Sequence, residues 1–529
     1  MTGLGTLLRL VARRSRWFYA AWVLALTVVV PATAAAYETI IEPGNAQLLI
    51  ATMTNNPTMR AMLGPPFDLT TAGGFTVWRV GTFVAAMAAV MAVLGVVRST
   101  RAEEEDGRTE LLRSGSVDRH APLVAGLAVA VVAGAVLGLL VAGSMTAVGQ
   151  PLGGSLAFGA GITLVTAVFA GVGAVAVQLT ASARTARSLG LWTVAAAYTL
   201  RAVADGSAQG STLRAAGWAS PVQWMALARP YAQERWWVLL LPAVLALLLA
   251  GAAVLLESRR DHGSGVWAAR PGPARAAASL SSTGGLARRL HRGQLLGWGS
   301  GLVLLALALG SLSTSFADML EQAPQLRVVL QQMGGGAEQL VDAFFVAMLS
   351  IVSVVVAVLA VQLFSRLARE EERGHAELLL STAPGRGRLL ASHLVIAALA
   401  PALLLVLVGA VLALNQARTQ GDWSLVARVA GAGAALAPGG LVVLGIAVLL
   451  HGWAPRLAAL TWVVVAWSLL MVWVGAILSL PDWLVGLTPW APLPQLPVDP
   501  MDWTAVLGML ALAAGLTALG AWGYRRRDI

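Results

Sequence analysis

The chain has 529 residues, 57% of them hydrophobic and only 12% charged, with a formal net charge of +10 at pH 7. Soluble domains average about 25% charged residues, so this composition, with a mean hydropathy of +0.74, indicates an integral membrane protein. Cysteine is absent, which excludes disulfides, thiolate catalysis and cysteine-ligated metal. All 36 basic residues are arginine, which excludes a standard P-loop, because that motif needs a lysine to reach the β- and γ-phosphates.

Residues 1–16 place Arg9, Arg13, Arg14 and Arg16 before an apolar run that starts at Trp17. Leu4, Leu7, Leu8 and Val11 fall at i, i+3, i+4 and i+7, which predicts an amphipathic helix along the inner membrane surface. Ala32-Thr33-Ala34 matches a signal-peptide cleavage pattern. The run is nevertheless long enough to span, and the second half opens in the same way, so it reads as an uncleaved first helix. Runs of about 20 apolar residues predict six spans in the first half, at 17–37, 75–97, 122–147, 155–180, 189–204 and 236–256. Six more follow at 296–316, 343–365, 389–415, 425–450, 457–480 and 503–523. The expected organisation is a first half over 1–256, a flexible cytosolic linker over 257–281, and a second half over 282–529. Arginines cluster after the even-numbered spans, which places both termini in the cytosol. Their spread over many loops is better explained by this retention than by nucleic-acid binding. Two Trp- and Pro-bearing segments, 205–235 and 481–502, either dip back into the outer leaflet as short helices or form interfacial loops.

The halves repeat. Arg16 and Trp22 correspond to Arg292 and Trp298, and Ser220-Pro221 corresponds to Thr488-Pro489. An even number of spans per half predicts a parallel repeat, with its pseudo-two-fold axis along the membrane normal. The fold class expected is therefore an all-α integral membrane protein of twelve transmembrane helices in two tandem six-helix halves, with an amphipathic helix before each.

The most specific repeat is acidic. Glu103-Glu104-Glu105-Asp106-Gly107-Arg108-Thr109-Glu110-Leu111-Leu112 recurs as Glu370-Glu371-Glu372-Arg373-Gly374-His375-Ala376-Glu377-Leu378-Leu379, 267 positions later. Both read E-E-E-x-G-x-x-E-L-L and both lie in a cytosolic loop. On one continuous helix, Glu103, Gly107 and Glu110 share a face, as do Glu370, Gly374 and Glu377. The glycine then leaves a notch for close approach, and the carboxylates accept bidentate bonds from a partner's arginines. The competing reading is a solvated helix that was merely duplicated; the divergence of the surrounding sequence argues against it.

No other constellation suggests chemistry. The six histidines show no metal-ligand spacing, and there is no G-x-S-x-G element and no carboxylate dyad within a span. Catalytic, cofactor-binding and metal-binding residues are therefore expected to be absent. Arg79, Arg201 and Arg428 lie near span ends and read as snorkelling side chains. Glycine-rich stretches such as 126–143 and 159–173 predict close helix packing. A path through such helices suits hydrophobic or amphipathic cargo.

At these residues the chain resembles the single-chain, twelve-span permeases of actinobacterial ABC exporters, the ABC-2-like polyketide-antibiotic or tetronasin-resistance type. The resemblance rests on the six-plus-six spans, the amphipathic openings and the repeated acidic segment. It implies that this segment is the coupling helix that fits a groove on a separate ATPase subunit, present in two copies. Carried over, Glu103, Glu104, Glu105, Gly107 and Glu110 form the first coupling element, and Glu370, Glu371, Glu372, Gly374 and Glu377 the second. ATP and Mg would be bound by the partner, so the chain itself is no enzyme. The implied function is multidrug efflux across the cell membrane by ATP-driven alternating access. The alternatives are an ion-gradient-driven twelve-span carrier and a non-transporting scaffold. Replacing Glu104 and Glu371 with Arg is expected to abolish partner-driven transport while leaving the permease folded.

Overall fold

The computed structural model describes residues 2–41, 50, 57–113, 115, 117–207, 211–267, 272, 274–322, 337–382, 385–474 and 482–527. These residues form helices, turns and loops, with no strand among them. They divide into two compact units, Met1–Gly272 and Pro273–Ile529.

The first unit contains α1 (Leu4–Ala35), α2 (Pro57–Leu63), α3 (Thr82–Ser99), α4 (Arg101–Glu105), α5 (Arg108–Arg113), α6 (Ala121–Ala147), α7 (Leu152–Leu179), α8 (Ala183–Gly206) and α9 (Leu240–Ser258). The second contains α10 (Thr283–Gln322), α11 (Ala337–Glu372), α12 (His375–Leu380), α13 (Arg386–Gln420), α14 (Ser424–Trp453), α15 (Leu460–Val474) and α16 (Trp503–Arg526). Among the described residues eleven helices are long and apolar enough to cross a membrane, five in the first unit and six in the second.

The missing member of the expected twelve is the span over 189–204. α8 is helical there for 24 residues, about 36 Å at 1.5 Å per residue. Arg184, Arg187, Arg201 and Asp205 dilute its apolar content. Arg201 does not snorkel as expected. It is fully buried, donates to the Ala61 and Met62 carbonyls at 2.7 and 2.9 Å, and stacks over Tyr198 at 4.6 Å. Its charge is thus held inside the unit by the C-terminal carbonyls of α2.

The amphipathic openings also differ from expectation. The arginine-bearing segment is the start of one continuous helix in each unit, α1 and α10. Leu7 of the predicted membrane-facing stripe is buried, and Leu4, Leu8 and Val11 pack with it against Val117, Ala121 and Ala125. The stripe is therefore partly covered by protein, with Leu7 buried and Leu4, Leu8 and Val11 half-buried.

Each unit packs its helices in the same order of neighbours. α7 lies against α3, α6 and α9, and α14 lies against α11, α13 and α16. α1 packs on α6, and α10 on α13. Small residues set the close crossing of α6 and α7. A Cβ on Gly138 would stand 2.3 Å from the Gly159 carbonyl oxygen, and one on Gly159 2.2 Å from that of Gly138. Backbones that near require glycine at both positions.

The described residues of the two Trp- and Pro-bearing segments form short helical turns and loops; 208–210 lie outside the described residues. Thr212–Ala216, Gly217–Ala219 and Gln223–Leu227 form the first. Trp224 is buried, whereas Trp218 stacks on Trp237 at 6.0 Å. In the second, 482–502, Trp490 packs into the core beside Leu493; residue 481 lies outside the described residues.

Candidate functional site

Each acidic motif sits where helix ends of its unit converge. In the first unit, α3 runs to Ser99 and α4 continues over Arg101–Glu105. The helix then stops. Gly107 has φ +71°, and its N–H donates to the Glu104 carbonyl at 3.1 Å. In the second unit α11 stops at Glu372, Gly374 has φ +73°, and its N–H donates to the Glu371 carbonyl at 2.9 Å. A left-handed glycine just beyond the last turn is a usual helix stop. The single shared face expected of Glu103, Gly107 and Glu110 therefore does not form, nor does that of Glu370, Gly374 and Glu377. No atom lies within 4 Å of where a Cβ would sit on either glycine. The glycine provides a bend, and nothing in this chain fills the space beside it. Each motif has two arms, the helix end before the glycine and a new short helix after it, α5 or α12.

The middle glutamate of each motif turns inward. Glu104 accepts a bidentate pair from Arg260, Nη1 to Oε1 at 2.8 Å and Nη2 to Oε2 at 2.9 Å. The Gly263 N–H donates to the same carboxylate at 2.7 Å, and Arg101 Nη1 lies 3.0 Å away. Exposure of the Glu104 side chain is 7%. Arg101 is itself spoken for: it donates to the carbonyls of Val177, at the end of α7, and Ser264. A cavity of about 20 Å³ remains beside the cluster, room for roughly one water. In the second unit Arg527 Nη2 donates to Glu371 Oε2 at 2.8 Å, and His451 Nε2 lies 3.3 Å from Oε1. The Glu371 side chain is again 7% exposed. Neither carboxylate is presented to solvent. Replacing Glu104 and Glu371 with Arg would disturb the unit rather than spare its fold.

The flanking glutamates serve locally. Glu103 accepts from Arg14 at 2.6 Å and from Arg108 at 3.0 Å. Glu370 pairs with His375 at 2.8 Å, and Arg366 Nε lies 3.4 Å away. Arg108 and His375 occupy equivalent positions of the two motifs, so the residues that differ in identity make the same bridge across the bend. Glu105 accepts the Ala183 N–H at 2.8 Å and so caps the start of α8. Glu372 is exposed, as are Glu110 on α5 and Glu377 on α12. Leu378, also on α12, is 70% exposed. Exposed residues stand on both sides of each glycine: Glu105, Asp106, Glu372 and Arg373 before it, and Arg108, Glu110, His375, Glu377 and Leu378 beyond it.

Sequence reasoning missed the two arginines that hold the middle glutamates. The signal was present: Arg259-Arg260-Asp261 recurs as Arg526-Arg527-Asp528, again 267 positions apart. It also missed the meeting of His291 and His393, buried with Nε2 and Nδ1 3.0 Å apart. His393 lines a cavity of about 240 Å³ under α12, with Leu286, Leu367 and Leu389. Residues 259–267, expected to begin a flexible linker, are docked. The Val266 and Trp267 N–H groups donate to the Gln178 and Leu179 carbonyls, each at 2.9 Å.

Eleven apolar helices, with a bent acidic element at one end of each unit, define a multi-pass α-helical membrane protein. Residues 280–525 match the family described as "Multidrug efflux system permease Rv1217c, C-terminal domain". The chain is also 37% identical to the multidrug efflux system permease protein Rv1217c of Mycobacterium tuberculosis, over 100% of its own length and 95% of that protein's. It belongs to this family of efflux permeases.

Proposed function

We propose that the chain is the transmembrane subunit of an ATP-driven exporter that moves hydrophobic or amphipathic compounds out of the cell. Two copies of a separate ATPase would bind the ATP and Mg, one at each acidic element. The observation that carries this reading is the twin bent element. Two units of one chain each buttress a bent acidic element, by the same kind of buried ion pair at the same register. A solvated loop needs no such buttress; a helix that must transmit force to the membrane domain does. The efflux-permease family supports export, and the absence of lysine means that any P-loop lies on another polypeptide. Both acidic elements and both termini are then cytosolic. The two units would be related by a pseudo-two-fold axis along the membrane normal.

The exposed carboxylates beyond the glycines are the partner-facing groups in this reading. Membranes from the native host, solubilised in detergent, should yield the chain with a nucleotide-binding subunit. Glu110→Arg combined with Glu377→Arg should remove that subunit and the ATPase activity while leaving elution and thermal stability unchanged. Retention of the ATPase by this variant would move the docking surface elsewhere. Transport that persists without ATP under a fixed ion gradient would favour a gradient-driven carrier.

A further inference from the structure

Two ion pairs in this molecule repeat each other. Glu104–Arg260 and Glu371–Arg527 both join residues 156 positions apart. In each, the carboxylate stands in the last turn before the glycine bend, and the arginine stands just past the final helix of the unit, beyond Ser258 of α9 or Arg526 of α16. The surroundings have diverged. Arg101 and the Gly263 N–H complete the first pair, whereas His451, with Tyr524 stacked on it, completes the second. Burying a charge pair is a poor way to gain stability, because desolvation offsets the attraction. Keeping the same pair through that divergence points to a need for position.

We propose that each pair is a latch that makes the acidic element and the last helix of its unit move as one body, with Arg260 and Arg527 as positioning residues. This rests on the docking role proposed for the arms beyond Gly107 and Gly374. A push on α5 or α12 crosses the bend to the latched arm and from there to the end of α9 or α16. In the first unit the latch also grips the chain that leaves it. Glu104 holds the Gly263 N–H, and Arg101 and Arg260 both donate to the Ser264 carbonyl at 2.9 Å.

The chain has no cysteine, so E371C/R527C can be made without other changes and joined by a short bismaleimide. The assay uses the full chain with its ATPase in inverted vesicles, reading ATP-dependent accumulation of ethidium. The unlinked variant should transport about tenfold less than wild type, since a severed buried pair loses its geometry. It should still bind the ATPase, and linking should restore most of the transport. Full activity without the linker overturns the latch, as does a linker that locks transport off. Hydrogen exchange on the permease alone separates this inference from the docking reading. Arg260→Gln should raise exchange about tenfold or more over both 101–107 and 259–267, and Arg527→Gln over both 369–374 and 520–527. If wild-type vesicles show no ATP-driven uptake and exchange still rises at both ends, docking fails and the latch stands. Unchanged exchange at either end overturns the latch.

Discussion

Glu104 and Glu110 show how far apart two carboxylates of one motif can be in role. Glu104 has a bidentate arginine and a backbone N–H on a side chain shut from solvent. Glu104→Gln leaves Arg260 and Arg101 buried without their counter-charge, which should cost roughly 3–5 kcal/mol. Glu110 is exposed, and Glu110→Gln should change stability by no more than about 0.5 kcal/mol. Thermal unfolding in detergent, with the two variants side by side, checks the contrast; equal shifts would refute the inward placement of Glu104. The glycines are a second residue-scale case. Open space surrounds Gly374, yet its φ of +73° is one that residues with a Cβ rarely adopt. Gly374→Ala should therefore destabilise by about 1–2 kcal/mol, with Gly374→Asn milder because asparagine tolerates that region better. The acidic repeat was legible in the sequence, whereas its inward and outward members were not. Which glutamate faces in depends on an arginine 156 residues away, and no local periodicity reports such a distance.

Among elements, the long apolar helices were the most legible, because length and hydropathy alone specify them. What the sequence left hidden was what each helix touches. The stripe of Leu4, Leu7, Leu8 and Val11 has the right period for a membrane surface or a protein surface, and the partner decides: here it is the start of α6. α8 was marked as a span by its apolar centre, but Arg201 needs the carbonyls of α2, which lie far away in sequence. Glycine placement along α6 gives an element-scale prediction. A Cβ on Gly138 meets the Gly159 carbonyl oxygen at 2.3 Å, while one on Gly143 meets nothing within 4 Å. Gly138→Ala should push α6 off α7 and cost about 1–3 kcal/mol. Gly143→Ala, on the same helix, should stabilise by up to about 1 kcal/mol through helix propensity. Opposite signs in unfolding temperature are the expected result; a shared sign would mean that the α6–α7 crossing is not set by this contact.

At the scale of the whole molecule the question is whether the two acidic elements work singly or as a pair. Each unit carries its own bend and its own buried ion pair, so each can be disabled alone. The exposed arms differ in detail. Asp106 and Arg108 in one correspond to Arg373 and His375 in the other, and a cavity of about 240 Å³ lies beneath α12. Independent docking points would make the effects of Glu110→Arg and Glu377→Arg on transport add, each removing part of the rate. Two ATPases that must close on one another to hydrolyse ATP would instead make either substitution nearly as damaging as both together. Groups that act as one unit are strongly non-additive. We expect the second pattern for transport. For binding we expect the first, with each single variant keeping about one ATPase per chain where wild type keeps two. Native mass spectrometry of the detergent complex reads the count, and vesicle uptake reads the rate. Full transport with a single ATPase bound would show that one acidic element suffices and that the repeat is not a matched pair.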